Sequence, residues 1–570
     1  MSTDFQAVGT SKLALFSLKV HRGEGMALLA MNWLKGPPPK NFVGFAIEYK
    51  EPSGIQFYSL KNRIGFPDQG GSVNPNALSS RLSPFQKFRW VHFPFHADLA
   101  GAFTYKVTPV FMNSADELSY GEPQLASIVL QRETYPGLLN VAFTRGFVSS
   151  QRFVDKYGKD SIKTLLPAKA DQGLTFASTN PQASEAYAWM GFEARSAILE
   201  ILDDAINDAT AQVRVLAYDL NEPEIVGRLE QLGDRLQIII DDDGAHGETT
   251  SAESKAAKRL IASAGGTSVK RQHLGKLQHN KTIIVDGRVQ KAICGSTNFS
   301  WRGIFVQNNN AIVLQGPGPV QIFLDAFQNY WEAGNSASAF GKTSSALWQK
   351  LGLTGIDAQI AFSPRLKKDA LLDSIAADVS KNTTSSLFFS LAFLYQTKGA
   401  MRDAFIKHQA DDDIFSYGIS DRTVPGLDLL KPGGKVRVVH PEVLKGGLPQ
   451  PFRDEPTGGG GTRLHHKFIV IDFDKPSARV YMGSFNFSSS ADTSNGENLL
   501  LIRDRRIAVS YVIEGLRIFD HYEFRVAQLD AKKARKKLLL AKPPRQAGEK
   551  AWWAEDYSDP RKITDRELFA

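Results

Sequence analysis

The sequence predicts an α/β protein made of two similar halves, preceded by an all-β amino-terminal domain. Two observations predict the halves. His279-Asn280-Lys281 is followed after four residues by Asp286 and then by Gly295-Ser296-Thr297-Asn298. The same pattern returns, about one domain length later, as His465-His466-Lys467, Asp472 and Gly483-Ser484-Phe485-Asn486. A third observation predicts the amino-terminal domain. Short apolar segments recur from Leu13–Val20 to Leu125–Leu130, with turn residues such as Gly36-Pro37-Pro38-Pro39 and Pro52-Ser53-Gly54 between them.

In chain order, residues 1–135 read as a β-sandwich of about seven strands. The alternation Phe103-Thr104-Tyr105-Lys106-Val107-Thr108-Pro109-Val110 resembles a strand of a fibronectin type III or immunoglobulin-like module. A calcium-binding sandwich needs clustered carboxylates, and this region has only scattered acids. Residues 136–184 read as a linker. Residues 185–340 form the first α/β half. Its helices are expected over Glu185–Ala209, Glu222–Leu232 and Glu253–Ala264, and its strands over Val213–Tyr218, Leu236–Ile240, Lys281–Val285 and Ala311–Leu314. Residues 341–530 repeat the order, with strands at Leu387–Leu391, Ile414–Ile419, Val436–Val439, Phe468–Ile471 and Leu499–Ile502. Residues 531–570 form a basic and aromatic tail. Its run Lys532-Lys533-Ala534-Arg535-Lys536-Lys537 reads as a solvated helix face or a contact for an anionic surface, and Trp552-Trp553 as a pin that holds the tail to the body.

Bulk composition narrows the chemistry. The net charge of +8 favours anionic partners, either a phospholipid surface or nucleic acid. The one cysteine, Cys294, excludes an intramolecular disulfide and reads as core. The amino terminus lacks a signal-peptide pattern, and the apolar run from Ser386 to Tyr395 is too short to span a bilayer. A cytoplasmic protein is expected, with non-classical export left open. No zinc spacing, phosphate loop or dinucleotide fingerprint is present, and no cofactor or metal is expected.

Phosphodiester cleavage needs a nucleophile, a proton donor for the leaving oxygen and positive charge on the non-bridging oxygens. His and Lys two apart on a strand leave the same face of the sheet. Two such strands would put His279, Lys281, His465 and Lys467 around one phosphate. Asn298 and Asn486 can donate to its oxygens, while Ser296 and Ser484 can support the turn or the phosphate. Asp286 and Asp472 complete the motif set. Their odd spacing from the lysines puts them on the other face, which suggests that they secure the strand ends. The residues alone do not order the two histidines.

The paired motifs resemble those of the phospholipase D superfamily, across roughly residues 185–530. That superfamily includes phospholipases D, phosphatidyltransferases and metal-independent endonucleases, and the tail (Trp552-Trp553, Tyr557-Ser558-Asp559-Pro560) looks like that of bacterial proteins near the nuclease branch. The resemblance implies two α/β halves about a pseudo-twofold. It also implies His279 as the nucleophile of a phosphohistidine intermediate and His465 as the acid and then the base. It favours a phospholipase D acting at the headgroup, with transphosphatidylation possible. A nuclease is the alternative, and a phosphate-binding scaffold the second. The family's histidine-orienting acid falls at Glu497 after the second motif, but at Asn309 after the first. This asymmetry is expected to separate the two histidine pKa values.

Four further readings accompany these. His466 matches Asn280 and is expected to face away from the site. Gly458–Gly461 reads as a flexible loop or a lid. Asp241-Asp242-Asp243 reads as a solvent-exposed acidic loop, or as one that attracts a cation. Phe299, Trp301, Phe485 and Phe487 read as core, or as partners for bases or acyl chains. The sandwich's partner is not specified.

Overall fold

The computed structural model describes residues 4–68, 73–94, 96–130, 133–146, 153, 156–158, 160–411, 413–421, 424, 427, 438–439 and 464–570. The Gly458–Gly461 loop lies outside these residues. The chain divides into two compact units, one of Met1–Arg132 with Val509–Ala570 and one of Glu133–Ala508.

The first unit is β-rich. One antiparallel sheet runs in the order Gln6–Val8, Phe16–Gly23, Met26–Trp33, Arg89–His92. The other runs Tyr58–Ser59, Phe42–Lys50, Ala102–Met112, Leu118–Tyr120, with Gln124–Val129 also on Ala102–Met112. Alternate residues point inward, as the period of a strand dictates. Phe16, Leu18 and Val20 from one sheet thus share a core with Phe103, Tyr105 and Val107 from the other.

The carboxy-terminal segment from Val509 onward belongs to this unit, so the second half does not reach residue 530. Trp552, Trp553 and Tyr557 pack on the sandwich core. The Trp552 indole donates to the Phe42 carbonyl at 3.1 Å, and its ring stacks 5.2 Å from Phe88. Burying large aromatic faces is what holds the segment there. The basic run at 532–537 is exposed.

The second unit contains two mixed sheets. The first has the order Leu139–Phe143, Asn310–Gln315, Lys291–Gly295, Lys281–Asp286, Gln212–Ala217, Leu236–Ile240, Val269–Arg271. The second begins with Gln349–Lys350 and continues Asp357–Ser363, Glu497–Arg503, Arg479–Gly483, Lys467–Ile471, Ser386–Leu391, Phe415–Ser420, Val438–Val439. From Asp357–Ser363 onward, the second sheet repeats the order and sense of the first. Antiparallel neighbours give way to parallel ones after Gln212–Ala217 and after Ser386–Leu391. Parallel neighbours need crossover connections. Pro223–Gln231, close to the expected Glu222–Leu232, and Ala400–Ala410 are those crossovers. Glu222 caps the first by accepting from the Ile225 N–H at 2.8 Å, ahead of a proline at the first helical position.

Two sequence expectations need correction here. Residues 136–184 are not all linker, because Leu139–Phe143 is a fully buried edge strand paired with Asn310–Gln315. Its five apolar or small residues match a strand covered on both faces. The expected helix over Glu185–Ala209 runs over Ala183–Asn207 and is interrupted at Phe192, where φ is 46°. No described helix is long and apolar enough to cross a membrane.

Candidate active site

The Lys281–Asp286 and Lys467–Ile471 strands are central in their sheets, apolar between Lys and Asp except for Thr282, and buried on both faces. His279 and His465 stand just before them. The segment before each motif pairs with the stretch after the other. Gln278 bridges Gly496, and Leu464 bridges Asn308, both in parallel. The Gly496 N–H donates to the Leu277 carbonyl at 2.7 Å, and the His465 N–H to the Asn308 carbonyl at 3.2 Å.

This exchange sets the histidine partners. His279 Nδ1 lies 2.7 Å from Glu497 Oε2, and His465 Nδ1 lies 2.8 Å from Asn309 Oδ1. Each histidine is therefore oriented by the other motif's trailing strand. A carboxylate only accepts, so Nδ1 of His279 carries the proton and Nε2 is left with its lone pair. Asn309 commits its amide nitrogen to the Gly303 carbonyl at 2.8 Å, so its oxygen faces His465 and sets the same tautomer.

The serines hold these orienting groups. Ser484 Oγ donates to Glu497 Oε2 at 2.6 Å, and Ser296 Oγ lies 2.9 Å from Asn309 Oδ1. Ser296 and Ser484 thus act on the turn and the orienting residue. The preceding glycines have a φ of 139°, and a Cβ on Gly295 would stand 2.5 Å from the Asn310 carbonyl oxygen. Only glycine fits there.

Both lysines are buried. Lys281 donates to the His279 carbonyl and lies 4.7 Å over the Tyr218 ring. Lys467 donates to the His465 carbonyl at 2.9 Å, and its Nζ is 3.1 Å from His465 Nε2. Burial, only partly offset by Glu497, Asp219 and Asp241, lowers the Lys281 pKa to about 8. Burial and then Lys281 lower that of Lys467 well below the usual lysine value. His279 is lowered by burial, with Glu497 opposing. His465 is lowered well below its usual value by burial, then by Lys467, Lys281, His279 and Arg302. The four groups feel one another's charge, which is what a site for an anion requires.

Asn298 donates from its amide to Asp219 at 2.7 Å, and its carbonyl oxygen, like that of Asn486, is buried with no partner among the described residues. Asp286 and Asp472, counted with the catalytic motif set from sequence, stand five residues beyond the lysines at the strand ends. Asp472 accepts from the backbone of Thr384 and Ser385, both at 2.8 Å, and Asp286 from Gln290 at 3.1 Å. Both tie strand ends in place. The His466 ring packs edge-on to Phe143 and Phe468, and Asn280 bonds to Tyr330 and Asn498, so both face away from the catalytic groups. Phe299, Trp301, Phe485 and Phe487 are buried in the cores. Cys294 is buried too.

Asp241 is fully buried, against the expectation of an exposed acidic loop. It accepts the Gln278 N–H at 2.6 Å and pairs with His246 at 2.8 Å. Sequence reasoning also missed Tyr218 and Asp219 after a strand end, His246 in a short helical turn and Arg302 at the start of another, none of which belongs to the repeated motif.

Comparison with known proteins agrees with this geometry. The family described as cardiolipin synthase, PLD-like domain, matches residues 202–331 and 431–514. A phospholipase D of Rickettsia prowazekii (strain Madrid E) is 52% identical over 48 residues, which is 8% of this chain and 22% of that protein. A mitochondrial cardiolipin hydrolase of Chlamydomonas reinhardtii is 25% identical over 132 residues, 23% of this chain and 55% of that protein. The match thus spans about a fifth of the length of the phospholipase and about half that of the cardiolipin hydrolase. Among solved structures, a phosphatidylserine synthase of Haemophilus influenzae Rd KW20 aligns over 60% of this chain and 91% of its own, at 11% identity and a TM-score of 0.40. Nuc of Salmonella typhimurium, a phospholipase D family member, aligns over 25% and 88%, at 28% identity and a TM-score of 0.21.

Proposed function

Because this chain is a member of the phospholipase D superfamily, we propose that it is a phosphodiesterase that hydrolyses phospholipids at the headgroup. The observation that carries the reading is the crossed pair of histidines, His279 on Glu497 and His465 on Asn309, with one buried lysine beside each. The two sheets are read as duplicated halves, and the amino-terminal sheets as a fibronectin type III-like sandwich.

His279 Nε2 attacks phosphorus, and a P–N bond forms as the P–O bond to the headgroup alcohol breaks. His465 gives its Nε2 proton to the leaving oxygen. A bound phosphate among the lysines raises the proton affinity of His465, which burial and neighbouring cations otherwise depress. Water then attacks phosphorus, His465 takes the water's proton, and the P–N bond breaks to release phosphatidate. An alcohol in place of water gives transphosphatidylation. Lys281 and Lys467 neutralise the non-bridging oxygens, the part that metal ions have in other phosphoryl-transfer sites. Asn298 and Asn486 line the same phosphate. The names of the curated relatives, phospholipase D and cardiolipin hydrolase, favour lipid. The net charge of +8 favours nucleic acid as the second reading.

The test is a paired assay in EDTA on phosphatidylcholine vesicles and on single-stranded DNA. The expected result is release of choline with no DNA cleavage. Cleavage of DNA alone would replace the lipid reading, and loss of activity to the chelator would remove the lysine-based mechanism. Acid-quenched protein should carry the phosphoryl adduct on His279, and an adduct on His465 would reverse the assignment.

A further inference from the structure

His246 lies outside the paired motifs, yet three lines of contact lead from it to the site. Its Nε2 is 3.2 Å from Asp219 Oδ1, and Asp219 Oδ2 receives the Asn298 amide at 2.7 Å. Its Nδ1 is 2.8 Å from Asp241 Oδ2, and Asp241 Oδ1 receives the Gln278 N–H, one residue before His279, at 2.6 Å. Its ring lies 4.6 Å from that of Tyr218, which in turn lies 4.8 Å from the His279 ring and under the Lys281 ammonium.

The loop that carries His246 is pinned. The His246 carbonyl accepts from Arg271 at 2.6 Å and from Ser251 at 2.8 Å, and Arg271 also holds the Asp241 carbonyl at 3.0 Å. Carboxylates only accept, so a ring with a carboxylate at each nitrogen donates from both and carries a positive charge. Burial opposes that charge, but the bonds to Asp219 and Asp241 and the nearby Glu253 raise the pKa to about 10. Asp219, His246 and Glu253 offer ligand atoms within 4.8 Å of one another, but with both ring nitrogens engaged the cluster is a charge network, not an open coordination set.

We propose that His246 is a positioning residue for phosphate binding in the first half: it fixes Asp219 and Asp241, and through them Asn298 and the backbone before His279, and it cancels carboxylate charge that would otherwise repel a phosphate from Lys281. This rests on the reading of Asn298 and Lys281 as phosphate ligands. Without His246, Asp219 and Asp241 lose the imidazolium between them and draw more heavily on Lys281, the same cation that a phosphate would use. The loss falls first on binding, because Glu497 and Asn309 still hold the rings of His279 and His465.

The experiment uses the full chain as wild type, His246→Gln, Asp219→Asn and the double variant. Inorganic phosphate binding is measured by calorimetry, and kcat and KM with bis(p-nitrophenyl) phosphate. His246→Gln should weaken phosphate binding and raise KM, each about tenfold as one lost charge interaction would, with a much smaller change in kcat. Adding Asp219→Asn should restore most of the affinity. A purely structural role predicts parallel losses in kcat and folded fraction with no recovery in the double variant, and that result overturns the proposal. So does a chelator that abolishes phosphate binding, since a cation would then do this work. Should His246→Gln not fold, nitrogen NMR of the wild type decides instead, because a His246 ring that is neutral at pH 7.5 refutes the charge argument. A wild type that binds phosphate but cleaves no diester would refute the proposed function and leave this role standing.

Discussion

The two halves of the site share one geometry and differ in one charge. Each histidine gives its Nδ1 proton to an oxygen supplied by the other half, at 2.7 Å for His279 and 2.8 Å for His465. Each orienting group is held by the serine of a Gly-Ser-x-Asn turn. Orientation and tautomer are therefore the same. The first histidine, however, faces the carboxylate of Glu497 and the second the amide of Asn309. Burial lowers both pKa values, but Glu497 opposes the fall at His279, whereas at His465 burial is joined by Lys467, Lys281, His279 and Arg302 with an amide rather than a carboxylate beside the ring, so its pKa falls further. On the proposed mechanism, two copies of one motif divide labour through a single atom type, with the proposed nucleophile beside the acid and the proposed proton carrier beside the amide.

The largest effect on this comparison comes from erasing the difference. Glu497→Gln gives both histidines an amide. It keeps a possible bond to Nδ1 but removes support for the positive ring that forms when His279 attacks. Turnover on phosphatidylcholine vesicles should fall about a hundredfold, the lower end of what a positioned acid–base group contributes, and the pH–rate profile should move. An unchanged profile would show that the asymmetry has no role in separating the histidines.

The lysines test the comparison next. The Lys281 ammonium is present below its pKa of about 8 and is lost as pH rises through it. The free enzyme should therefore lose kcat/KM above pH 8, by about tenfold per pH unit. Lys281→Arg stays charged, so its alkaline limb should move upward even if its rate is lower. A limb that stays in place would assign it to another group.

A smaller effect is expected from Asn309→Asp, which gives both histidines a carboxylate. The proton affinity of His465 should rise. It then gives up its proton less readily as an acid and, once charged, cannot serve as base in the second step. Turnover should fall by about threefold for every threefold rise in that affinity, and the phosphohistidine should persist longer in rapid-quench samples. A shortened lifetime would reverse the roles of the two histidines.

Much of this was legible in the sequence, for physical reasons. Ile283–Val285 and Phe468–Ile471 are short apolar runs at the heart of their strands, and Pro223–Gln231 carries its own cap, so local pattern alone places them. The motif spacing brought His279, Lys281, His465 and Lys467 together. The exchange of orienting groups was not legible, because His279 and Glu497 are far apart in the chain and no local pattern encodes which trailing strand meets which histidine. Asp241 looked like part of an exposed acidic loop because sequence does not show that His246 neutralises it. Leu139–Phe143 read as linker because an isolated edge strand of five residues has no neighbouring signal. That Trp552-Trp553 pin the tail was legible, but not which surface receives them, because their partners come together only in the folded sandwich.

The motif aspartates give the last and smallest test on activity. Asp472 sits at a φ of 53° and gathers the Thr384 and Ser385 amides with the Thr384 hydroxyl, each at 2.8 Å. Asp286 has the Gln290 amide at 3.1 Å and stands half-exposed. Asp472→Ala leaves several buried donors without acceptors and should cost about 2 kcal/mol in urea unfolding, whereas Asp286→Ala should cost within about 0.5 kcal/mol. Neither should change kcat per folded molecule. Burial opposes the Asp472 charge, but the Thr384 and Ser385 bonds outweigh it and hold the carboxyl below its usual range. Its stabilising charge is therefore complete above the unfolded carboxylate pKa and is lost as pH falls through the lowered folded value, so the gap between wild type and Asp472→Ala should narrow in acid. Equal stabilities for the two variants at neutral pH, or a collapse of kcat in folded Asp472→Ala, would mean that the aspartates do more than secure their strands.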